Sequence, residues 1–454
     1  ARGPASGIAA SAALPTDPAA LDAAIGKQEA VLADADQAVQ AAAPNFRQLV
    51  QLTVPTDVVL HALGAREALA AITLDPHGGW VFLLRDGKVR AARIALGRDA
   101  IGAMVRRIRA SIEPDANGHL PAYDTADAAA LYRAVLGPVA DGLTGASDLV
   151  VVPSGPLLAL PFGILLTGPA SPQALASAPW LIRRMPIAYV PAAANFVALR
   201  KLEGGSHAPG AWFGFGDPVP VGLAQAERSF PAGACADSAR LFAGLPRLTF
   251  SERELGAARQ LLGGAKRDEL LGRAFTVAAV GRVDLKRYRV LHFATHALLP
   301  AELRCQSQPA IVTSAPSGAA SAAGALLTAG HVLDLDLDAN AVILSACNSG
   351  GIGDHPAGES LSALARAFFF AGARSMLVTH WSISDQASAF LIAETLQGYA
   401  AGADGGLGGA LRAAQLGIIN GAGKSLPAAL AHPFFWGAFV LEGEGRIGRK
   451  PAGA

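Results

Sequence analysis

Apolar residues along this chain follow two rhythms. Some come in short unbroken runs: LVVV at 149–152, VLHFA at 290–294, AVIL at 341–344 and SMLV at 375–378. Runs of this kind, without polar alternation, predict strands buried on both faces of a parallel sheet. Between them the apolar positions recur at helical spacing. Strands alternating with helices predict an α/β fold, a mostly parallel sheet with helices on both faces.

Taken in order, the stretch 67–96 breaks into three runs around Pro76-His77-Gly78-Gly79 and Asp86-Gly87, which predicts a hairpin or meander. Helices are expected at 98–112 and 126–143. A buried strand and a proline-rich turn follow from 148, then a strand at 183–190 and a short helix at 192–202. A polar, glycine-containing break at 203–210 is the expected boundary between an amino-terminal α/β half (51–205) and a carboxyl-terminal half (206–454). In the second half, strands are expected at 212–216, 289–294, 341–346, 375–379 and 434–441. Helices are expected at 251–262, 359–371, 385–400 and 407–419. Ser251 and Glu254 have the spacing of a capping box at the first of these helices. Residues 1–50 read as a disordered Ala/Gly/Pro-rich leader and an orphan helix opening near Asp17.

Composition narrows the class. Hydrophobic residues make up 52% and charged residues 16%, which a disordered chain does not show. Lys+Arg (37) and Asp+Glu (36) nearly cancel and no long basic run occurs, so no nucleic-acid partner is expected. No charge falls between Asp148 and Arg183, but Pro153, Pro156, Pro161, Pro169 and Pro172 interrupt any spanning helix there. That stretch is expected to be buried core, not membrane. The chain starts without Met or a signal-peptide pattern, so a fragment or processed form is expected. The compartment is left open between cytoplasm, slightly favoured, and a form that has lost a signal peptide. Cys235, Cys305 and Cys347 make no disulfide framework, and their odd number leaves at least one free thiol.

Two strands of the second half end in reactive side chains, VLHFATH at His296 and VILSAC at Cys347. Parallel strands bring their carboxyl ends to one edge of the sheet, where open α/β sheets place their chemistry. A cysteine and a histidine meeting there would form a dyad in which the imidazole takes the thiol proton and later protonates a leaving amine.

The order of motifs goes further. HFATH, LLTAGHVLDLDLDANAVILSACNSG, GESLSALARAFFFAGARSMLVTHWSISD and HPFFWGAFVLEG resemble the CHAT family of caspase-like, separase-like (clan CD) cysteine peptidases. The resemblance extends upstream through VPSGPLLALPFGIL, FGFGDP and LTFSERELGAARQLL, and covers roughly residues 125–445. The 51 positions between His296 and Cys347 also match the caspase spacing of about 50. Carried over by motif, His296 matches the general base and Cys347 the nucleophile. The oxyanion donors would be the backbone N–H groups of Ala297 and Cys347. The resemblance implies a protein or peptide substrate and no cofactor. It further implies that the amino-terminal half is a degenerate copy of the catalytic unit. The orphan helix would be the remnant of upstream helical repeats through which an activating protein partner binds. Ala297 stands where the family commonly has Gly, and His380-Trp381 replaces its Leu-Trp. The rival expectation is a catalytically silent adaptor or partner-binding module.

Relatives that cleave after basic residues do so through an acidic pocket, which makes Asp217, Asp354 and Glu359 candidates for pocket lining. The blander roles are a turn cap for Asp217 and a helix cap for Glu359. His292 and His296 are four apart, about 13 Å on a strand, which excludes a shared zinc ion. Cys235 and Cys305 read as structural. GEGRIG at 443–448 lacks a following helix, and GIINGAGKS near 420 lacks phosphate-loop spacing. The Ser/Ala/Gly loop 313–324 is expected to be mobile and to order on binding.

Overall fold

The computed structural model describes residues 53–115, 117–202, 205–230, 235–298, 308–316, 323–345, 357–381 and 385–446, with backbone only for 323, 357–362 and 385. The expected leader and orphan helix lie outside the described residues. After a short helix at Thr56–Ala62 come β1 (Glu67–Leu74), β2 (Gly79–Arg85) and β3 (Lys88–Ile94), the expected meander. Asp86 and Gly87 both take positive φ, 49° and 70°, which is the two-residue turn that matches strand twist. Helices α1 (Arg98–Ala110) and α2 (Thr125–Val135) follow, then β4 (Asp148–Val152) and β5 (Ile187–Tyr189).

In the second half come β6 (Phe213–Gly216), α3 (Ser251–Leu262), β7 (Glu269–Leu271), β8 (Val290–Ala294), β9 (Ala297–Leu298), β10 (Ala310–Val312) and β11 (Leu326–Thr328). After these are β12 (Ala341–Leu344), α4 (Ala357–Ala371), β13 (Ser375–Thr379), α5 (Asp385–Ala400), α6 (Gly406–Gly421) and β14 (Phe439–Gly443).

Among the described residues one eleven-stranded sheet runs β3-β2-β1-β4-β5-β14-β13-β12-β8-β6-β7, and β11-β10-β9 form a small separate sheet. The large sheet is mostly parallel, as expected, but it holds two senses. Strands β1, β4, β5 and β14 run together, β13 pairs antiparallel with β14, and β12, β8, β6 and β7 follow β13. The two groups therefore present their carboxyl ends at opposite edges. The sheet is continuous across the expected boundary near 205.

Helices cover both faces of the second group. On one face Phe293 of β8 stacks on Phe215 at 4.5 Å and meets Phe368 of α4 at 5.9 Å. On the other, α3 lies directly on β6. An added Cβ at Gly216 would come within 2.6 Å of Leu255 Cδ1, and one at Gly214 would strike the Trp212 ring. The FGFG run is thus glycine on the helix side and phenylalanine on the opposite side, the period-2 pattern of a strand.

Several local expectations change. The strand at 183–190 shortens to β5, with a 3-10 turn at Leu181–Arg183 before it. The helix at 126–143 breaks at Leu136-Gly137-Pro138 into α2 and a 3-10 segment, since Pro138 has no N–H to continue the helix. The strand at 434–441 starts only at Phe439, because Pro433–Trp436 forms a helical turn whose His432 cap accepts from Phe434 N–H. The capping box is absent: Phe250 is the N-cap, Ser251 Oγ donates to Leu248 O, and the Glu254 carboxylate points into the core.

Candidate active site

His296 follows β8 by two residues, and Ser345 is the last described residue of the neighbouring strand, two before Cys347. Both stand at one carboxyl edge, because β8 and β12 pair in parallel with Leu344 opposite Phe293. The ladder ends with Ser345 N–H donating to Phe293 O at 3.0 Å. Cys347 and Asp354 lie outside the described residues. Glu359 stands in the first turn of α4.

The His296 ring is buried, and its Nε2 lies 2.8 Å from the carbonyl oxygen of Pro246. A carbonyl only accepts, so Nε2 carries the proton and the acceptor role falls to Nδ1. Thr295, fully buried, donates its hydroxyl to Val312 O at 2.6 Å and pins the turn that carries the histidine. Val312 N–H donates to His296 O, so 296 with 312 and 298 with 310 are the bonded rungs of the β9–β10 pair. Ala297 is the residue between them, and strand alternation turns its N–H away from β10.

Asp217 ends β6 at the same edge, beside Thr295, since Gly216 pairs with Ala294. Its φ of 49° is the left-handed region, uncommon for a residue with a side chain. The Arg247 guanidinium grips its carboxylate with two hydrogen bonds, Nε to Oδ1 at 2.9 Å and an Nη to Oδ2 at 2.7 Å. Arg247 is the residue after Pro246, so one short segment holds both His296 and Asp217.

His380 is buried and faces the amino-terminal half. Burial, helped by the positive charge of Arg109, pushes its pKa down to about 3, so it is neutral. Its carbonyl accepts from Arg109 at 2.7 Å. The loop 313–324 opens packed, not loose: Ser314 is buried, donates to Gly272 O at 2.7 Å and accepts from Val219 N–H at 2.8 Å. Residues 317–322 of that loop lie outside the described ones. Cys235 is disulfide-bonded and packs beside a second small core that includes Phe242 and Leu298. Among the described residues, no cluster of three His, Cys, Asp or Glu side chains is placed to hold a metal ion, and no helix is long and apolar enough to cross a membrane.

The sequence reading missed one constellation. His292 Nε2 meets Glu254 Oε1 at 2.7 Å, Ser345 Oγ donates to Glu254 Oε2 at 3.1 Å, and Ser345 Oγ lies 2.7 Å from Ser388 Oγ. All four side chains are buried. The signal in the sequence was polar residues inside otherwise apolar runs, VLHFA and VILSA.

A family model described as CHAT domain matches residues 125–444. No curated protein matches the chain. Among solved structures, the Saccharomyces cerevisiae separase–securin complex is similar with TM-score 0.46 and 8% identity, over 85% of this chain and 30% of that one. This chain therefore spans less than a third of that separase chain. The Arg-specific cysteine proteinase gingipain R (RGPB) is similar with TM-score 0.39 and 9% identity, over 78% of this chain and 68% of that one.

Proposed function

The chain belongs to the CHAT family, and on that premise we propose that it is a cysteine endopeptidase with Cys347 as nucleophile and His296 as general base and acid. The single observation that carries this reading is the seating of His296: buried at the carboxyl edge shared with the end of β12, its tautomer set by the hydrogen bond from Nε2 to Pro246 O. An imidazole locked in that tautomer is suited to take a proton from a thiol on the adjacent strand.

Cys347 gives its thiol proton to His296 Nδ1, and the sulfur attacks the scissile carbonyl carbon. The oxyanion is received by the N–H groups of Ala297 and Cys347. The intermediate collapses to a thioester as the C–N bond breaks and the imidazolium protonates the departing amine. Water, deprotonated by His296, then releases the acid and regenerates the thiol.

Asp217 is the proposed recognition group for a basic residue before the cleaved bond, with Arg247 occupying its carboxylate in the free protein. Asp354 and Glu359 stay as further candidates for that pocket. A protein or peptide is the proposed substrate, and a protein bound through upstream helical repeats is the proposed activator.

The test is a thiol-reactive peptide ketone panel and a peptide cleavage assay on the full chain. Labelling of wild type but not of Cys347→Ala or His296→Ala is the expected result. Labelling of wild type no better than Cys347→Ala would sink the peptidase reading in favour of the silent adaptor.

A further inference from the structure

Between the strands that lead to His296 and to Ser345 lies a buried polar cluster that the steps above do not use. Glu254 comes from α3, His292 from β8, Ser345 from the end of β12 and Ser388 from α5. His292 is wholly buried with the Trp212 ring edge-on at 6.3 Å, and Glu254 is 3% exposed. Each donor has a place: the carboxylate takes the His292 Nε2 proton on one oxygen and the Ser345 hydroxyl proton on the other, which leaves Ser388 to donate to Ser345. His292 Nδ1 has no hydrogen-bond partner among the described residues.

Replacing a buried ion pair or polar network by apolar side chains of similar volume is often neutral or stabilising. Stability alone is therefore a weak reason for this cluster, and its position supplies a better one. His292 lies four residues before His296 on one strand, and Ser345 lies two before Cys347 on the next. The backbone ladder between these strands ends at Ser345 N–H, so no further rung among the described residues sets the path of the chain toward Cys347.

We propose that Glu254 is the positioning residue of the dyad, one carboxylate oxygen holding the histidine strand through His292 and the other holding the cysteine strand through Ser345. The inference rests on the peptidase reading. Glu254 touches neither substrate nor the reacting atoms. It fixes the end of β12 at Ser345 against β8, and Ser388 ties α5 into the same point. A misplacement of about 1 Å between reacting groups costs on the order of a hundredfold in rate, so a device that fixes this geometry acts on turnover and thiol reactivity more than on substrate binding.

The experiment is the rate at which iodoacetamide alkylates Cys347 in the full, mildly reduced chain near pH 6.5, read by mass spectrometry of the Cys347 peptide. Wild type, His296→Ala, Glu254→Gln, Ser345→Ala and the apolar triple Glu254→Leu/His292→Val/Ser345→Ala are compared. Melting temperatures and, where turnover is present, kcat and KM are measured alongside. Thiolate content controls this rate, so His296→Ala should fall about tenfold or more. Glu254→Gln, Ser345→Ala and the triple variant should fall most of the way to that level, with kcat lowered and KM little changed, even where the triple melts no lower than wild type. Wild-type alkylation in the folded triple and in Ser345→Ala, with His296 still required, would overturn the positioning role and leave the peptidase reading standing. Equal rates in wild type and His296→Ala would overturn both.

Discussion

The two strand groups of the sheet treat buried polar residues in opposite ways. The chain turns through Pro153 and Pro191 after β4 and β5, and a small cavity lined by Leu157 and Tyr189 reaches from Glu442 of β14 to His380, which follows β13. Glu442 has one carboxylate oxygen buried without a hydrogen-bond partner among the described residues, and burial pushes its pKa up to about 7. His380 is pushed the other way. Both groups are driven toward neutrality by desolvation. Across the seam, the Glu254 carboxylate of α3 lies as deep but has an imidazole and a hydroxyl as donors, the imidazole on the strand that leads to His296. The difference is in partners, not depth: one Glu442 oxygen lacks a donor where each Glu254 oxygen has one, and a buried polar group is costly unless it is hydrogen-bonded.

The comparison breaks most sharply at the proposed dyad. His296→Ala should lower kcat/KM by about 10² to 10⁴, the usual contribution of general acid–base catalysis, whereas Glu442→Gln at the other edge should leave it within about twofold. Equal losses from the two substitutions, measured by peptide hydrolysis, would erase the distinction between the edges.

Next in size is a stability effect of the reverse pattern. With a folded pKa of about 7 against an ordinary 4.5, Glu442 holds in the native state a proton that the unfolded chain releases. Its contribution to stability is full below about pH 4.5 and is lost as the pH rises through 7, a change of about 3 kcal/mol. His380, lowered from 6.5 to about 3, has the opposite slope: its neutral burial costs nothing above about pH 6.5 and destabilises as the pH falls below it. The two partly cancel in wild type, so the informative quantity is the difference from a variant. Glu442→Gln should raise the melting temperature at pH 8 and leave it unchanged at pH 4.5. A difference that is flat with pH would remove the shift.

Packing sharpens the same contrast. Gly214→Ala drives a methyl into the Trp212 ring beneath α3 and should cost about 1–3 kcal/mol in denaturant unfolding, the range for overpacking. Gly163→Ala in the first half meets only the Ile182 side chain, at 3.5 Å and beyond, and should stay within about 0.5 kcal/mol. An effect of about tenfold, confined to one substrate class, is expected at Asp217. Asp217→Asn should lower kcat/KM about tenfold for substrates with Arg before the cleaved bond and leave neutral ones unchanged, as expected for loss of one charged, two-pronged contact. Equal effects on both classes would assign Asp217 to holding Arg247 alone.

Much of the architecture was legible from pattern. Unbroken apolar runs marked β4, β8, β12 and β13, because a strand covered on both faces has no polar side to show. Asp86-Gly87 marked its turn, because few residues tolerate positive φ there. Element ends were less legible. Pro138 and the Pro433 turn cut short periodic stretches whose side chains were otherwise right for helix or strand. His296 could be picked out from its place after a buried strand. Its hydrogen bond to Pro246, 50 residues away, could not, because nothing local selects that carbonyl.

By itself the sequence determined the strand and helix rhythm, the family to which the chain belongs, and His296 and Cys347 as the residues to test first. These are properties of short segments and their spacing, which local sterics and hydrophobicity control. Only the tertiary structure decided that Ser251 and Glu254 do not form a capping box. A carboxylate three residues into a helix can reach back to its own N-cap or across to a neighbouring strand. Packing of α3 on glycine-bearing β6 brought His292 and Ser345 within 2.7–3.1 Å of Glu254, and two donors in a water-excluded core hold a carboxylate better than one backbone N–H near solvent.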